Sequence, residues 1–283
     1  MLWGIIAVIM GCVIFMFVRM YWEAKNTMIQ VEHLYHERLP ESWDHTSILF
    51  ISDIHRRTIS ENWIKELTFT HTDIELVLVG GDYTERGVPL ERVRHNMKLL
   101  RSVAPVYAVH GNHDYNADYR EVDIVLRECG VHLLDNEAVW LEKEDAGVWL
   151  AGVDDVLTER AKLRVALSEP NLQPAFTMLL VHDPSIVQQL HDERIHLMFA
   201  GHTHGGQFRL PWIGPLVSSG IYRRYSYGTY ELDRTAMDAS EGGTKIFISR
   251  GMGTSHIPLR LFCPAEVHII KLHSKKKQSS APA

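Results

Sequence analysis

Apolar and polar positions divide the chain into unequal parts. Residues 1–18 contain no charged side chain, and from residue 47 short apolar runs recur at 48–51, 76–79, 106–109, 148–151, 178–181, 197–200, 246–248 and 267–272. Their length and β-branched content predict buried strands. Residues 60–70, 85–101 and 118–129 are helix-like, with Ser60 as an N-cap and Gly130 at a C-cap position. Strand and helix alternate early, which predicts a layered α/β fold; the closer strands of the second half predict hairpins. The polar stretch 23–46 reads as a stalk or linker, 47–272 as the main domain, and 273–283, with Lys275, Lys276 and Lys277, as a disordered basic tail.

The apolar leader is long enough to matter. As a helix, residues 1–18 would span about 27 Å, close to the hydrocarbon core of a bilayer. Trp3 stands near one end and Tyr21 and Trp22 near the other, where amphipathic rings favour the interface. Arg19 and Lys25 follow the run and no basic residue precedes it, the reverse of a secretory signal. Residues 1–22 are therefore expected to be a single-pass anchor in the cell membrane. The positive-inside rule then leaves the main domain in the cytoplasm.

Composition narrows the function. A formal net charge of -6 argues against nucleic acid as a partner, because a phosphate-binding surface is basic. Cys12, Cys129 and Cys263 have no CxxC spacing, and the last two read as buried free thiols of a reducing compartment. Of the 17 histidines, His33, His36 and His71 are expected to face solvent. Others fall in polar clusters directly after apolar runs: Asp53-Ile54-His55, Gly80-Gly81-Asp82, Gly111-Asn112-His113-Asp114, His182-Asp183 and Gly201-His202-Thr203-His204-Gly205-Gly206. Ligands of α/β sheets bind at the carboxyl ends of strands, so the five clusters are expected to converge on one edge.

Each cluster alone is weak, because Asp-x-His is common and a lone histidine is more often structural. Together they describe a metal site. Imidazole, carboxylate and amide oxygen without thiolate suit Mn, Fe or Zn among the divalent ions. Seven donors exceed the needs of one tetrahedral ion, whereas two ions sharing a carboxylate would use them all. Such pairs clamp the attacking and leaving oxygens of a phosphoryl displacement and make hydroxide available at neutral pH, so no Ser or Cys nucleophile is required.

The ordered motifs D-x-H, GD, GNHD, H and GH-x-H resemble the calcineurin-like metallophosphoesterase family over about residues 47–272. The resemblance implies a four-layer αββα sandwich of two mixed sheets, here preceded by one N-terminal transmembrane helix. It also implies that Asp53, His55 and His204 hold one metal, that Asn112, His182 and His202 hold the other, and that Asp82 bridges them. His113 would protonate the leaving oxygen or stabilise the phosphoryl charge, with Asp114 orienting its ring. Gly205-Gly206-Gln207, Gly152-Val153-Asp154-Asp155 and Gly251-Met252-Gly253-Thr254 resemble the membrane-associated bacterial phosphodiesterase-like branch.

The expected activity is hydrolysis of a phosphodiester or pyrophosphate bond by metal-activated hydroxide, with a lipid-linked ester as one substrate class. A phosphomonoesterase or protein phosphatase, a nucleotide phosphodiesterase and a non-enzymatic membrane scaffold are the alternatives; oligomeric state stays open. Arg56 and Arg57 could meet phosphate or simply form a solvated loop. His110 and His256 could support the site or be merely structural, and Asp154 reads as a turn residue. The aromatic-rich stretch 210–230 could pack as a hairpin or serve as a lid that meets lipid, with Arg223 and Arg224 at anionic headgroups.

Overall fold

The apolar runs fold as strands in the expected order. A computed structural model describes residues 1–168, 175–190, 194–232 and 243–274. Helix α1 (Leu2–Lys25) is followed by strands β1 (Met28–Tyr35) and β2 (Ser47–Ile51), helix α2 (Glu61–Thr70) and strand β3 (Ile74–Gly80). Next come α3 (Leu90–Arg101), β4 (Val106–Val109), α4 (Tyr119–Glu128), β5 (Val131–Leu133), β6 (Glu137–Lys143), β7 (Ala146–Val153) and α5 (Leu163–Ala166). The chain continues through β8 (Phe176–Val181), β9 (Leu197–Ala200), β10 (Arg209–Leu210), β11 (Gly214–Pro215) and α6 (Gly220–Arg224). It ends on β12 (Gly228–Leu232), β13 (Thr244–Ile248) and β14 (Glu266–His273).

Two mixed sheets form, in the orders β1-β14-β2-β3-β4-β5 and β12-β13-β9-β8-β7-β6. Strands β2 to β5 are parallel, as are β7, β8, β9 and β13, while β14 and β6 run antiparallel to their neighbours β2 and β7. Alternate residues of β2 show why the runs are continuously apolar. Ile48 and Phe50 pack between the sheets with Leu150, Met178 and Phe199. Leu49 and Ile51 pack outward beneath α2, α3 and α4 with Leu67, Met97 and Leu126. On the far side, Leu179, Val181 and Ile248 pack against Leu163 and Ala166 of α5. Strands covered on both faces lose the polar alternation of surface strands, and the result is the expected helix–sheet–sheet–helix sandwich.

Local signals explain the helix boundaries. The Ser60 side chain accepts from Trp63 N–H and caps α2 as expected. Helix α3 begins at Leu90 rather than near residue 85, with Pro89 as its N-cap. A residue before proline is pushed out of helical geometry, so Val88 cannot continue a helix through that point. Cys129 and Cys263 are free and buried as expected.

The stalk expectation fails. Residues 28–35 form edge strand β1, paired with β14 from Met28–Glu266 to Tyr35–His273. Only one side of an edge strand packs on the core, so its sequence lacks the apolar run that marks the inner strands. Helix α1 also runs past residue 22, and Met20, Glu23 and Ala24 in its last turns are buried. His36 is buried rather than solvent-facing, with its ring against Phe176 and His196. The expected basic tail beyond Ser274 lies outside the described residues.

Candidate metal centre

Because β2, β3 and β4 are parallel in one sheet and β8 and β9 in the other, their carboxyl ends share a rim. The two rims meet: His182 Nδ1 donates to Gly80 O across 2.8 Å, and His202 N–H reaches Asp53 Oδ1 at 3.1 Å. The local backbone is unusual here. Asp53, His55, Asp82, His202 and His204 all have φ between 49° and 66°. Non-glycine residues rarely adopt this left-handed region, and such strain collects where surrounding structure holds a functional geometry. The motif glycines permit the approach: a Cβ on Gly81 would lie 2.6 Å from His182 Nδ1, and one on Gly251 would lie 2.6 Å from the Cβ of Asp53.

The seven expected ligands fall into one rim. Asp53, His55 and His204 form a buried group whose donor atoms lie within 4.8 Å of one another, and Asp53, Asp82 and His182 form a second. His55 Nε2 stands 3.1 Å from His204 Nε2, and His182 Nε2 stands 3.2 Å from His202 Nδ1. Asp82 Oδ2 lies between the two histidine pairs, 3.6 Å from His55 Nε2 and 3.2 Å from His182 Nε2. Asn112 sits between Gly111, whose N–H donates to Asp114, and His113, whose N–H donates to Asp82 Oδ1 at 2.8 Å.

These contacts fit divalent ions. Asn112 Oδ1 is buried and accepts no hydrogen bond among the described residues, a costly state for an amide oxygen unless something else binds it. With Nδ1 given to Gly80 O, a neutral His182 presents its Nε2 lone pair to the centre. His55 likewise turns Nδ1 to the Glu85 carboxylate at 3.0 Å, leaving Nε2 inward.

The electrostatics agree. Burial alone would raise the Asp82 carboxyl, but His182, His55 and His113 hold it well below the usual range. Burial works against charging His182, yet Asp82 and Asp53 push its pKa well above the ordinary value. Burial, His55 and Arg260 push His204 down, while burial and His182 push His202 down. Buried carboxylates thus demand positive charge while two of the four imidazoles resist carrying it, a conflict that bound cations relieve.

His113 is half-buried, its ring edge-on to His55 with centroids 4.9 Å apart. Asp114 corrects an expectation. It does not contact the His113 ring; Oδ2 accepts from Asp82 N–H and Gly111 N–H, each at 2.8 Å, and Oδ1 accepts from Thr84 N–H at 3.0 Å. The chain turns sharply after His113, which aims Asp114 back under the loops that carry Asp82 and Asn112. Burial and the neighbouring Asp82 charge push its pKa up to about 7.

Two supporting residues were not anticipated. Glu85 faces His55 and also pairs with Arg56. An acid three residues beyond Asp82 is a faint sequence signal for it. Arg260 is fully buried and donates to the carbonyls of Arg250, Gly251 and Gly253, with His204 Nδ1 3.4 Å away. Its own N–H donates to Met20 O of α1. Arg57 does not face the rim either: it donates to Ala24 O and Lys25 O at the end of α1 and to the Thr27 hydroxyl. Asp154, directly after β7, accepts from Tyr115 O–H and Asp155 N–H, and His110 is buried between Tyr83 and Asp123. His256 is exposed, its ring centroid 5.8 Å from that of His113, and it borders the cleft over His202 and His204.

A two-sheet sandwich with this rim of histidine, aspartate and asparagine defines a metallophosphoesterase. The chain belongs to the calcineurin-like phosphoesterase family, whose model matches residues 46–206. It is similar to "Uncharacterized protein YpbG" of Bacillus subtilis (strain 168), 34% identical over 228 residues, with 80% of each chain covered. The phosphodiesterase YaeI of Escherichia coli (strain K12) is 29% identical over 233 residues, covering 80% of this chain and 81% of YaeI. A transmembrane protein with metallophosphoesterase domain from Danio rerio is 26% identical over 257 residues, covering 83% of this chain and 55% of that protein. The protein is thus a phosphoric ester hydrolase of a family that uses divalent metals.

Proposed function

We propose that this enzyme is a membrane-anchored phosphodiesterase or pyrophosphatase working with two divalent ions, Mn, Fe or Zn, on a lipid-linked ester. The observation that carries the metal reading is the pair of facing imidazoles on either side of Asp82, at 3.1 and 3.2 Å. In this reading Asp53, His55 and His204 hold one ion, Asn112, His182 and His202 the other, and Asp82 both. The ions would supply Lewis-acid charge to the phosphoryl group and lower the pKa of water at neutral pH.

The chain's own residues do the positioning. Glu85 and Gly80 O fix the His55 and His182 rings so that each presents Nε2 inward. Asp114 locks the Asp82 and Asn112 loops together. His113 sits at the edge of the rim with its pKa lowered by burial and by His55, against the pull of Asp82. A neutral imidazole there serves better as an N–H donor to a phosphoryl oxygen than as a proton source. The leaving oxygen then takes its proton from water as the phosphorus–oxygen bond breaks.

Diester cleavage is favoured because YaeI, similar over 80% of this chain, is named a phosphodiesterase. Anchoring is supported by α1, 24 residues long with mean hydropathy 2.3 and no burial over its most apolar window. Arg19 and Lys25 lie at its carboxyl end, which favours a cytoplasmic domain. The test is turnover of bis-p-nitrophenyl phosphate against p-nitrophenyl phosphate by the full chain, with Mn and with chelator. Preference for the diester, abolished by chelation and at least about tenfold lower in His113→Ala, supports the reading. Preference for the monoester, or activity indifferent to chelator, overturns it.

A further inference from the structure

Beside the metal rim lies a surface of the opposite character. Trp212 at the tip of the β10–β11 hairpin is 102% exposed, with Ile213, Leu216 and Val217 exposed beside it. Ile257 and Phe262, from the loop before β14, are exposed as well. Soluble surfaces seldom gather large apolar side chains this way without a partner.

Three observations identify the partner. First, the surface is continuous with α1. Phe262 shares a concavity with Trp212 and Ile213, and the Arg19 guanidinium stacks on the Phe262 ring, 4.0 Å from its centroid. Arg19 is the first charged residue after the uncharged run, so it marks the depth at which the helix leaves lipid for headgroups. Phe262 and the hairpin therefore lie at that depth. Second, the helix is docked and not tethered. Arg57 grips its last carbonyls, Arg260 N–H reaches Met20 O, and Glu23 accepts from Cys263 N–H while pairing with Arg19. The bilayer level of α1 is thus transmitted to the domain. Third, the charge matches. From Gln207 to Tyr230 there are three arginines and no acidic residue, in a chain of net charge -6. Basic groups beside apolar ones suit anionic headgroups over acyl chains.

We infer that the face bearing Trp212, Ile213, Leu216, Val217, Ile257 and Phe262 is seated in the headgroup layer of the bilayer that holds α1. Val217 and Ile257 also wall the cleft of ≈ 320 Å³ over His202 and His204, so the seat opens the metal rim directly onto lipid. The substrate is then an amphiphile that reaches the metals without leaving the membrane: its phosphate meets the rim, and its tail stays against Val217 and Ile257. This rests on reading α1 as an anchor and the rim as a phosphoesterase centre.

The test uses the full chain in nanodiscs containing anionic lipid. In a Cys12→Ser background, with Cys129 and Cys263 buried, a nitroxide is placed by Trp212→Cys, Val217→Cys, Met10→Cys or Phe69→Cys. Met10 reports α1, and Phe69, 87% exposed at the carboxyl end of α2, reports domain surface away from the rim. Collision of each label with oxygen and with a water-soluble nickel chelate is measured. The seat predicts a several-fold higher oxygen-to-nickel ratio at 212 and 217 than at 69. Water-like labels at 212 and 217 with a lipid-like label at 10 overturn the seat and leave the anchor standing. A water-like label at 10 removes the anchor on which the inference rests and so overturns it, whatever the labels at 212 and 217 report. Water-like labels at all four positions overturn both.

Discussion

The metal rim and the hairpin face adjoin one another and are built on opposite terms. At the rim, charged and polar groups are buried, tightly cross-bonded and carried on left-handed backbone. At the hairpin face, large apolar groups stand in the open with little to hold them. The first arrangement is costly unless a small, highly charged ligand completes it. The second is costly unless something apolar covers it. In the proposed reading the two surfaces answer two ends of one substrate class, phosphate at one side and hydrocarbon at the other.

The largest expected effect tests the support beneath the rim. Arg260→Met leaves the carbonyls of Arg250 and Gly253 without their guanidinium donor, removes one of the two donors to Gly251 O, and takes the guanidinium away from His204, while the backbone bond to Met20 O remains. It should destabilise the domain by about 3 kcal/mol or more, seen as a lowered midpoint in denaturant. A change under about 1 kcal/mol would mean that the rim does not depend on this residue.

A smaller effect is expected at Glu85. Glu85→Gln removes the charge facing His55 Nδ1 and should weaken metal affinity by roughly 10- to 100-fold with little change in fold, read by competition against a metallochromic indicator. Unchanged affinity would show that His55 orients itself.

His196 stands just before the amino end of β9, at the opposite end of that strand from the rim, and provides a baseline for pH. Burial, with His36 and Arg38, pushes His196 down to about 3, and its Nδ1 accepts from Thr177 N–H. Above pH 6.5 the ring is neutral in both folded and unfolded chains, and its contribution is fully present. As pH falls from 6.5 toward 3 the unfolded chain binds the proton first, so stability declines by at most about 1.4 kcal/mol per pH unit. His196→Asn keeps an acceptor for Thr177 and should flatten this slope in urea titrations between pH 6.5 and 4.5. An identical slope in both proteins would contradict the assignment.

The smallest effect is at the hairpin. Trp212→Ala should change stability in detergent by no more than about 0.5 kcal/mol, because nothing among the described residues covers the ring. A larger loss would show that the hairpin face is structural and dissolve the contrast with the rim.

Much of this was legible in the chain. The strand-end clusters announced themselves because each ligand follows an apolar run and most are flanked by glycine, so a local pattern carried a tertiary site. Strand β1 was not legible, since an edge strand buries one side and resembles a polar linker. Arg260 was invisible for a different reason: apart from Cys263, its partners lie at residues 20, 204 and 250–253, and no local pattern links them. Asp114 was found but misassigned. Its neighbour in sequence is His113, but its hydrogen bonds go to Thr84, Asp82 and Gly111. The exposure of Trp212 could be read only from the fold, because Pro211-Trp212-Ile213 in sequence suits a packed turn equally well.

In the proposed reading the rim binds two metals with Asp82 between them. The direct measurement is elemental analysis of the purified full chain after loading with Mn or Zn, beside Asp82→Asn. Two equivalents per chain are expected in the native sequence, and one or none in the variant with diester turnover lower by more than about 100-fold. A native chain that binds fewer than one equivalent, or a variant that keeps two ions and full turnover, would contradict it.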